Sequence, residues 1–211
     1  MKKNYLTQNH LDVVISKSQS KGRGRSDHVW ESPNGNLYFS YILKKDIFID
    51  NLFVEISKIS VAIIKTLMKY GITASIKYPN DILVGTKKIA GILMETQGAI
   101  DLDYIVVGIG ININQSNFNS LHKFATSTYL ENGIELDPNN VALNIMNEYV
   151  KPHTFNEYLK HSIILNKRIK FNNQIFVVRE ILEDGRLFLV GNEKLYVSPN
   201  EISLKEIYEW S

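Results

Sequence analysis

Three short apolar stretches, Thr73–Tyr78, Ile82–Val84 and Lys88–Glu95, follow one another with only Pro79-Asn80-Asp81 and Gly85-Thr86 between them. Connections this short favour antiparallel pairing of neighbouring strands. Tyr104–Ile113 and Leu37–Leu43, rich in branched and aromatic side chains, extend the series, and Asp12–Ile15 is a further short strand. Helical spacing is confined to a few segments. Leu52, Phe53, Ile56, Ile59, Ile63, Leu67 and Met68 form one stripe, with Asp50 as the expected cap and Gly71 at the end. Asp137-Pro138 opens a second helix through about Val150, and Thr154 with Glu157 has capping-box spacing for a third. The expected class is therefore α+β: a mostly antiparallel sheet with flanking helices.

After about Ile164 the texture changes. Arg168–Phe171, Ile175–Leu182, Leu187–Val190 and Leu195–Val197 are short strands, with Asn172-Asn173 and Asp184-Gly185 as tight turns. They predict a small β-barrel of about fifty residues, a size that leans on a neighbour for stability. The expected division is a main domain over residues 1–163 and a small one over 164–211. Composition excludes several functions. No apolar run reaches the roughly 20 residues of a membrane span, and the N-terminus lacks the apolar core of a secretory signal. A net charge of +2 does not call for nucleic acid. The absence of cysteine removes disulfides, thiolate metal sites and a cysteine nucleophile, and points to the cytoplasm. His10, His28, His122, His153 and His161 show no metal-ligand spacing, so no metal site is expected.

The segment Gly22-Arg23-Gly24-Arg25, followed by Trp30 and a Ser32-Pro33-Asn34-Gly35 turn, combines close backbone approach, cationic forks and a flat aromatic face. It reads as a loop around an anionic, nucleotide-bearing ligand, or as a solvated basic loop. Lys77 ends an apolar strand and either snorkels to the surface or enters a site. Gly91, Gly108 and Gly110 lie within strand patterns, where they mark a bulge or close packing, or clear space for a ligand lying across the sheet. Lys44-Lys45 and Lys87-Lys88 read as solvated turns, able to meet an acidic acceptor.

In combination, Gly22-Arg23-Gly24-Arg25, Trp30, Ser32-Pro33, Gly35-Asn36-Leu37-Tyr38, Lys77-Tyr78-Pro79-Asn80-Asp81, Lys88-Ile89-Ala90-Gly91-Ile92-Leu93 and Gly108-Ile109-Gly110-Ile111-Asn112 resemble the motifs of biotin–protein ligases, also called biotin–[acetyl-CoA-carboxylase] ligases. The likeness runs from about Val13 to Asn114 and resumes at Glu201-Ile202-Ser203-Leu204. It implies a class II synthetase/biotin ligase-like sheet with an SH3-like C-terminal barrel. A Rossmann fold is not implied, and neither Gly-rich segment sits between strand and helix as that fold requires.

The implied chemistry is ATP-dependent: biotin is activated to biotinyl-5'-AMP and transferred to a lysine of a biotin carboxyl carrier domain. By the same resemblance, Lys77 and Arg23 are the catalytic cations. Gln19, Gly22, Arg23, Gly24, Arg25, Lys77 and Gly91 are expected to hold biotin, and Arg25, Trp30, Lys77 and Asn112 the nucleotide. Mg²⁺ would arrive with ATP. Repressor-type members bind DNA through an added N-terminal domain, which is not expected here. Edge-to-edge sheet pairing in the family makes a homodimer an expectation.

The chain departs from the family pattern in places. Only Asn4 stands where members carry a Ser-Thr-Asn segment, Ser26 and His28 replace arginines, and Tyr78 and Asn200 replace Trp and Gly. The alternatives are a lipoate–protein ligase, which shares the fold and the lysine logic, and a degenerate biotin binder without catalysis.

Overall fold

The computed structural model describes residues 9–24, 29–44, 51–97 and 104–202. Asp50, Asn4, Arg25, Ser26, His28, Ser203 and Leu204 lie outside these residues.

Six strands form the main sheet: β1 (Val13–Ser16), β2 (Leu37–Lys44), β3 (Ser75–Lys77), β4 (Asp81–Val84), β5 (Lys87–Gln97) and β6 (Tyr104–Ile111). Their order is β1-β2-β6-β5-β4-β3, and every pairing is antiparallel. The period-2 alternation of strands splits this sheet into two chemically different faces. Leu37, Phe39, Tyr41, Leu43, Ile105, Val107, Ile109 and Ile111 point to one side and enter the main core. Helices α1 (Leu52–Lys69), α3 (Pro138–Tyr149) and α4 (Phe155–His161) cover that side, α1 burying Ile59, Ile63, Ile64 and Leu67. The opposite face carries Tyr38, Ser40, Gly108, Gly110, Gly91, Asp81 and Lys77, and it holds the site.

Local chemistry accounts for the helix ends. Asn51 caps α1, its side chain accepting from the Phe53 N–H at 3.0 Å, so the cap falls one residue beyond the expected Asp50. Gly71, at φ +76°, follows its last turn. Asp137 caps α3 ahead of Pro138, and Thr154 and Glu157 form the capping box of α4. A short helix, α2 (Thr128–Asn132), lacked apolar periodicity in the sequence; Ser127 caps it and Gly133 closes it.

The C-terminal strands β7 (Arg168–Phe171), β8 (Gln174–Ile181), β9 (Leu187–Val190) and β10 (Lys194–Val197) form a second antiparallel sheet in the order β10-β9-β8-β7. Asn172 and Asn173, both at positive φ, make the β7–β8 turn. The inner face of this sheet, Ile169, Phe176, Val178, Ile181, Leu187 and Leu189, belongs to the same continuous core as α1. The β8–β9 turn is locked there: Tyr78 Oη donates to the Gly185 carbonyl at 2.6 Å, and Asn51 Nδ2 donates to the Glu183 carbonyl at 2.6 Å.

Candidate functional site

One row of cross-strand neighbours organises the site. Tyr38 pairs with Gly110, Gly110 with Gly91, Gly91 with Asp81, and Asp81 with Lys77. Directly opposed residues of an antiparallel pair share a face, so the two central glycines open a trough in the floor. The indole of Trp30 lies in it. A β-carbon on Gly110 would sit 2.6 Å from Trp30 Nε1, and one on Gly91 would sit 3.0 Å from both Trp30 Cζ3 and Lys88 Nζ. Close packing of the aromatic ring therefore requires a glycine at 110, and at 91 a β-carbon would press on both Trp30 and Lys88. Gly108 meets only ordinary contacts. Trp30 Nε1 is buried and has no hydrogen-bond partner among the described residues.

The segment that delivers Trp30 folds back on itself. The Trp30 N–H donates to the Gly22 carbonyl at 3.0 Å, and Arg23 forms an isolated bridge with Val29. A side chain on Gly22 would collide with the Trp30 carbonyl, so this glycine serves the fold of the loop. Ser32 Oγ donates to Gln19 Oε1 at 2.8 Å and holds the loop's two limbs together. Arg23 reaches across to β5 and pairs with Glu95 at 3.1 Å, although its own side chain is largely exposed.

The opposite wall is a loop between β6 and α2. Its ends are pinned: Asn112 Nδ2 donates to the Thr126 carbonyl at 2.9 Å, Thr128 Oγ1 to the Ile113 carbonyl at 2.8 Å, and Ser127 Oγ to the Gln115 carbonyl at 2.5 Å. Its far limb is stitched to the start of β5, with Lys88 N–H donating to the Phe124 carbonyl at 2.8 Å. This compact excursion presents Phe118, Leu121 and Phe124 to the site, Phe124 being exposed.

Between these walls lies a cavity of about 570 Å³, a size suited to a small-molecule ligand. Its described lining balances charge, with Lys21, Arg23 and Lys88 against Glu31, Asp81 and Glu95. Lys88 Nζ sits 2.7 Å from Asp81 Oδ1 and 5.0 Å from the centroid of the Trp30 ring. Lys77 ends the row one strand beyond Asp81 and is not among the lining residues. Burial lowers its pKa, Asp81 opposes that shift, and Lys88 adds to it, so the three groups form one electrostatic cluster.

Of the residues singled out in the sequence, Gln19, Arg23, Gly24, Trp30, Gly91 and Asn112 meet around the cavity. Gly22 accepts the Trp30 N–H within the loop, and Lys77 is the cross-strand neighbour of Asp81, outside the described lining. Sequence reasoning missed Lys88, having read Lys87-Lys88 as a solvated turn. Lys87 is exposed, but a bulge in the β4–β5 pairing skips Ile89 and turns Lys88 to the face of Gly91. It also missed the wall formed by Gln115 to Ala125, whose apolar residues follow no strand or helix period. Among the described residues no group of three or more His, Asp or Glu side chains forms a metal site.

Residues 2–112 match the biotin/lipoate A/B protein ligase family. The chain is 35% identical over 155 residues to the bifunctional ligase/repressor BirA of Bacillus subtilis, an alignment covering 71% of this chain and 47% of that protein. Against the BirA of Escherichia coli the identity is 33% over 141 residues, covering 65% and 44%. The chain thus spans about half the length of these relatives. Among solved structures, a biotin protein ligase from Aquifex aeolicus in complex with biotin and ATP superposes with a TM-score of 0.80 at 25% identity, covering 93% of this chain and 90% of that one. The family match extends over the glycine–arginine loop, the Trp30 trough and the strands that carry Lys88 and Asn112, and on that match this chain belongs to the biotin/lipoate A/B protein ligase family.

Proposed function

We propose that this chain is a biotin–protein ligase. The biotin carboxylate attacks the α-phosphorus of ATP, giving biotinyl-5'-AMP and pyrophosphate. A lysine amine of a carrier domain then attacks the acyl carbon, loses a proton, and releases AMP. The observation that carries this reading is the placement of Lys88 in a cavity between a glycine–arginine loop and an apolar wall, above a floor cleared by Gly91 and Gly110. Support comes from the relatives, which are ligase/repressors, and from the Aquifex structure, a complex with biotin and ATP.

The chemistry brings two anions together, so it needs a preorganised cation where they meet. The described lining offers Lys21, Arg23 and Lys88, of which Lys88 and Arg23 are assigned to this role, with Arg25 outside the described residues; Lys77, coupled electrostatically to Asp81 and Lys88, supports them. Gln19, Gly22, Gly24 and Gly91 are assigned to the biotin side. Asn112 and the wall of Phe118, Leu121 and Phe124 are assigned to the nucleotide, with Trp30 as the flat surface for adenine. Mg²⁺ fits as an ion carried by the nucleotide, since it needs only a carboxylate or two beside the phosphates, and Asp81 and Glu95 line the cavity. Residues 164–211 are proposed as a C-terminal unit covering one side of the main domain.

Pyrophosphate release with biotin or lipoate as the acid tests the reading. Release with biotin alone, followed by label transfer to a carrier domain, is expected. Release with lipoate alone replaces it with a lipoate ligase, and biotin binding without release leaves a non-catalytic binder.

A further inference from the structure

Asn36 belongs to none of the groups assigned above, yet it is 2% exposed and engages both its amide donors and its carbonyl oxygen. Its Oδ1 accepts from the Ile113 N–H at 2.8 Å. Its Nδ2 donates to Gln115 Oε1 at 2.8 Å and to Tyr38 Oη at 3.1 Å. The network then reaches both walls of the cavity. Tyr38 Oη donates to the Pro33 carbonyl at 2.9 Å, on the limb that carries Trp30. Gln115, itself a lining residue, donates through Nε2 to the Asn117 carbonyl at 2.9 Å, within the opposite loop. A parallel backbone link runs from the Asn114 N–H to the carbonyl of Gly35, a residue held at φ +93°.

We propose that Asn36 is a positioning residue that fixes the loop from Gln115 to Ala125, through Gln115, as the wall against which the nucleotide binds. This rests on the ligase reading for the identity of the ligand, but the coupling of Asn36 to the loop does not. The residue type is demanding. Aspartate keeps the acceptor for the Ile113 N–H but loses both donations, and leucine or alanine leaves the Ile113 N–H and Gln115 Oε1 without these partners. A purely structural Asn36 would secure the end of β6 and affect both substrates alike. A positioning Asn36 affects the nucleotide side.

The experiment uses the full chain and compares wild type with Asn36→Ala, Asn36→Asp, Gln115→Ala and the Asn36→Ala/Gln115→Ala double variant. Amide hydrogen exchange of the ligand-free proteins is followed alongside KM for ATP and KM for biotin in pyrophosphate release. Faster exchange is expected at residue 113 and across 115–125, with α1 amides unchanged. KM for ATP should rise about tenfold in each single variant, the scale of one lost buried hydrogen bond, with KM for biotin unchanged within about twofold. Because the residues act through one chain of bonds, the double variant should be no worse than the poorer single one. Should Asn36→Ala fail to fold, Asn36→Asp and Gln115→Ala carry the same expectations. Unchanged exchange over 115–125 overturns the proposal whatever the activity, as do equal rises in both KM values or multiplicative effects in the double variant. A wild type that releases no pyrophosphate overturns the ligase reading, while the exchange data still decide the coupling.

Discussion

At the scale of single residues, the row Tyr38–Gly110–Gly91–Asp81–Lys77 ranks the two candidate lysines. Lys88 points into the cavity beside Trp30, whereas Lys77 lies beyond Asp81. Removing a preorganised cation from a reacting centre typically costs about 10²–10³ in rate. Lys88→Ala should lose that much adenylation in stopped-flow or pyrophosphate assays, while Lys77→Ala, one strand beyond Asp81 and outside the described cavity lining, should stay within about tenfold of wild type. The reverse order would return the catalytic role to Lys77. The glycines of this row were legible as positions needing space. Their occupant was not, because a tryptophan sixty or more residues away in sequence fills it, a contact that no local pattern encodes.

The helices show how capping chemistry ties elements together. Asn51 caps α1 through Oδ1, while its Nδ2 holds the Glu183 carbonyl in the β8–β9 turn. Asn51→Ala should cost about 1–2 kcal/mol, and Asn51→Asp, which retains the cap alone, should cost less. Thermal melts would check this ordering, and an equal loss in both variants would mean that the tie to Glu183 dominates. At the other end of α1, Lys69 meets Glu148 of α3, which also takes Lys151, each at 2.7 Å. The hydrogen bonds from Lys151 and then Lys69 hold the Glu148 carboxyl at about 2, below its ordinary 4.5. A depressed carboxyl pKa stabilises the fold above its unfolded value, and that stability is lost as pH falls from about 4.5 towards 2. Denaturant titrations of wild type should therefore weaken over that window, and Glu148→Gln should show a flatter decline from a less stable starting point. Such ends were readable from Asp137-Pro138 and Thr154, whereas α2 was not, since its short length leaves too little period to detect.

For the molecule as a whole, the two sheets share one apolar core. Phe53 of α1 packs against Tyr78 and Tyr158 with ring centroids 5.8 and 5.3 Å apart, and a β-carbon on Gly185 would fall 2.7 Å from its ring. The Ile163 N–H donates to the Ile76 carbonyl at 3.0 Å, so the chain bonds to β3 just before the expected boundary at 163/164. With the core continuous, unfolding should occur as one transition by calorimetry and by circular dichroism. A fragment ending at residue 163 should lose that transition and adenylation with it. Two well-separated transitions, with the earlier one confined to 164–211, would show that the C-terminal sheet is energetically independent.

The antiparallel sheet, its two-faced strands, the principal helices and the glycine–arginine loop all follow from local chemistry: turn residues, period-2 and period-3.6 alternation, and caps. These signals act over a few residues, so a single chain displays them in full. Which lysine lines the cavity is decided elsewhere. In β5 a strict alternation would give Ile89 and Ala90 opposite faces, yet both are buried in the main core, because the pairing with β4 skips Ile89. That bulge turns Lys88 onto the face of Gly91. The register of a strand against its partners is a property of the assembled sheet, which is why the geometry of the cavity emerges only when β4, β5, β6 and the Trp30 loop are brought together.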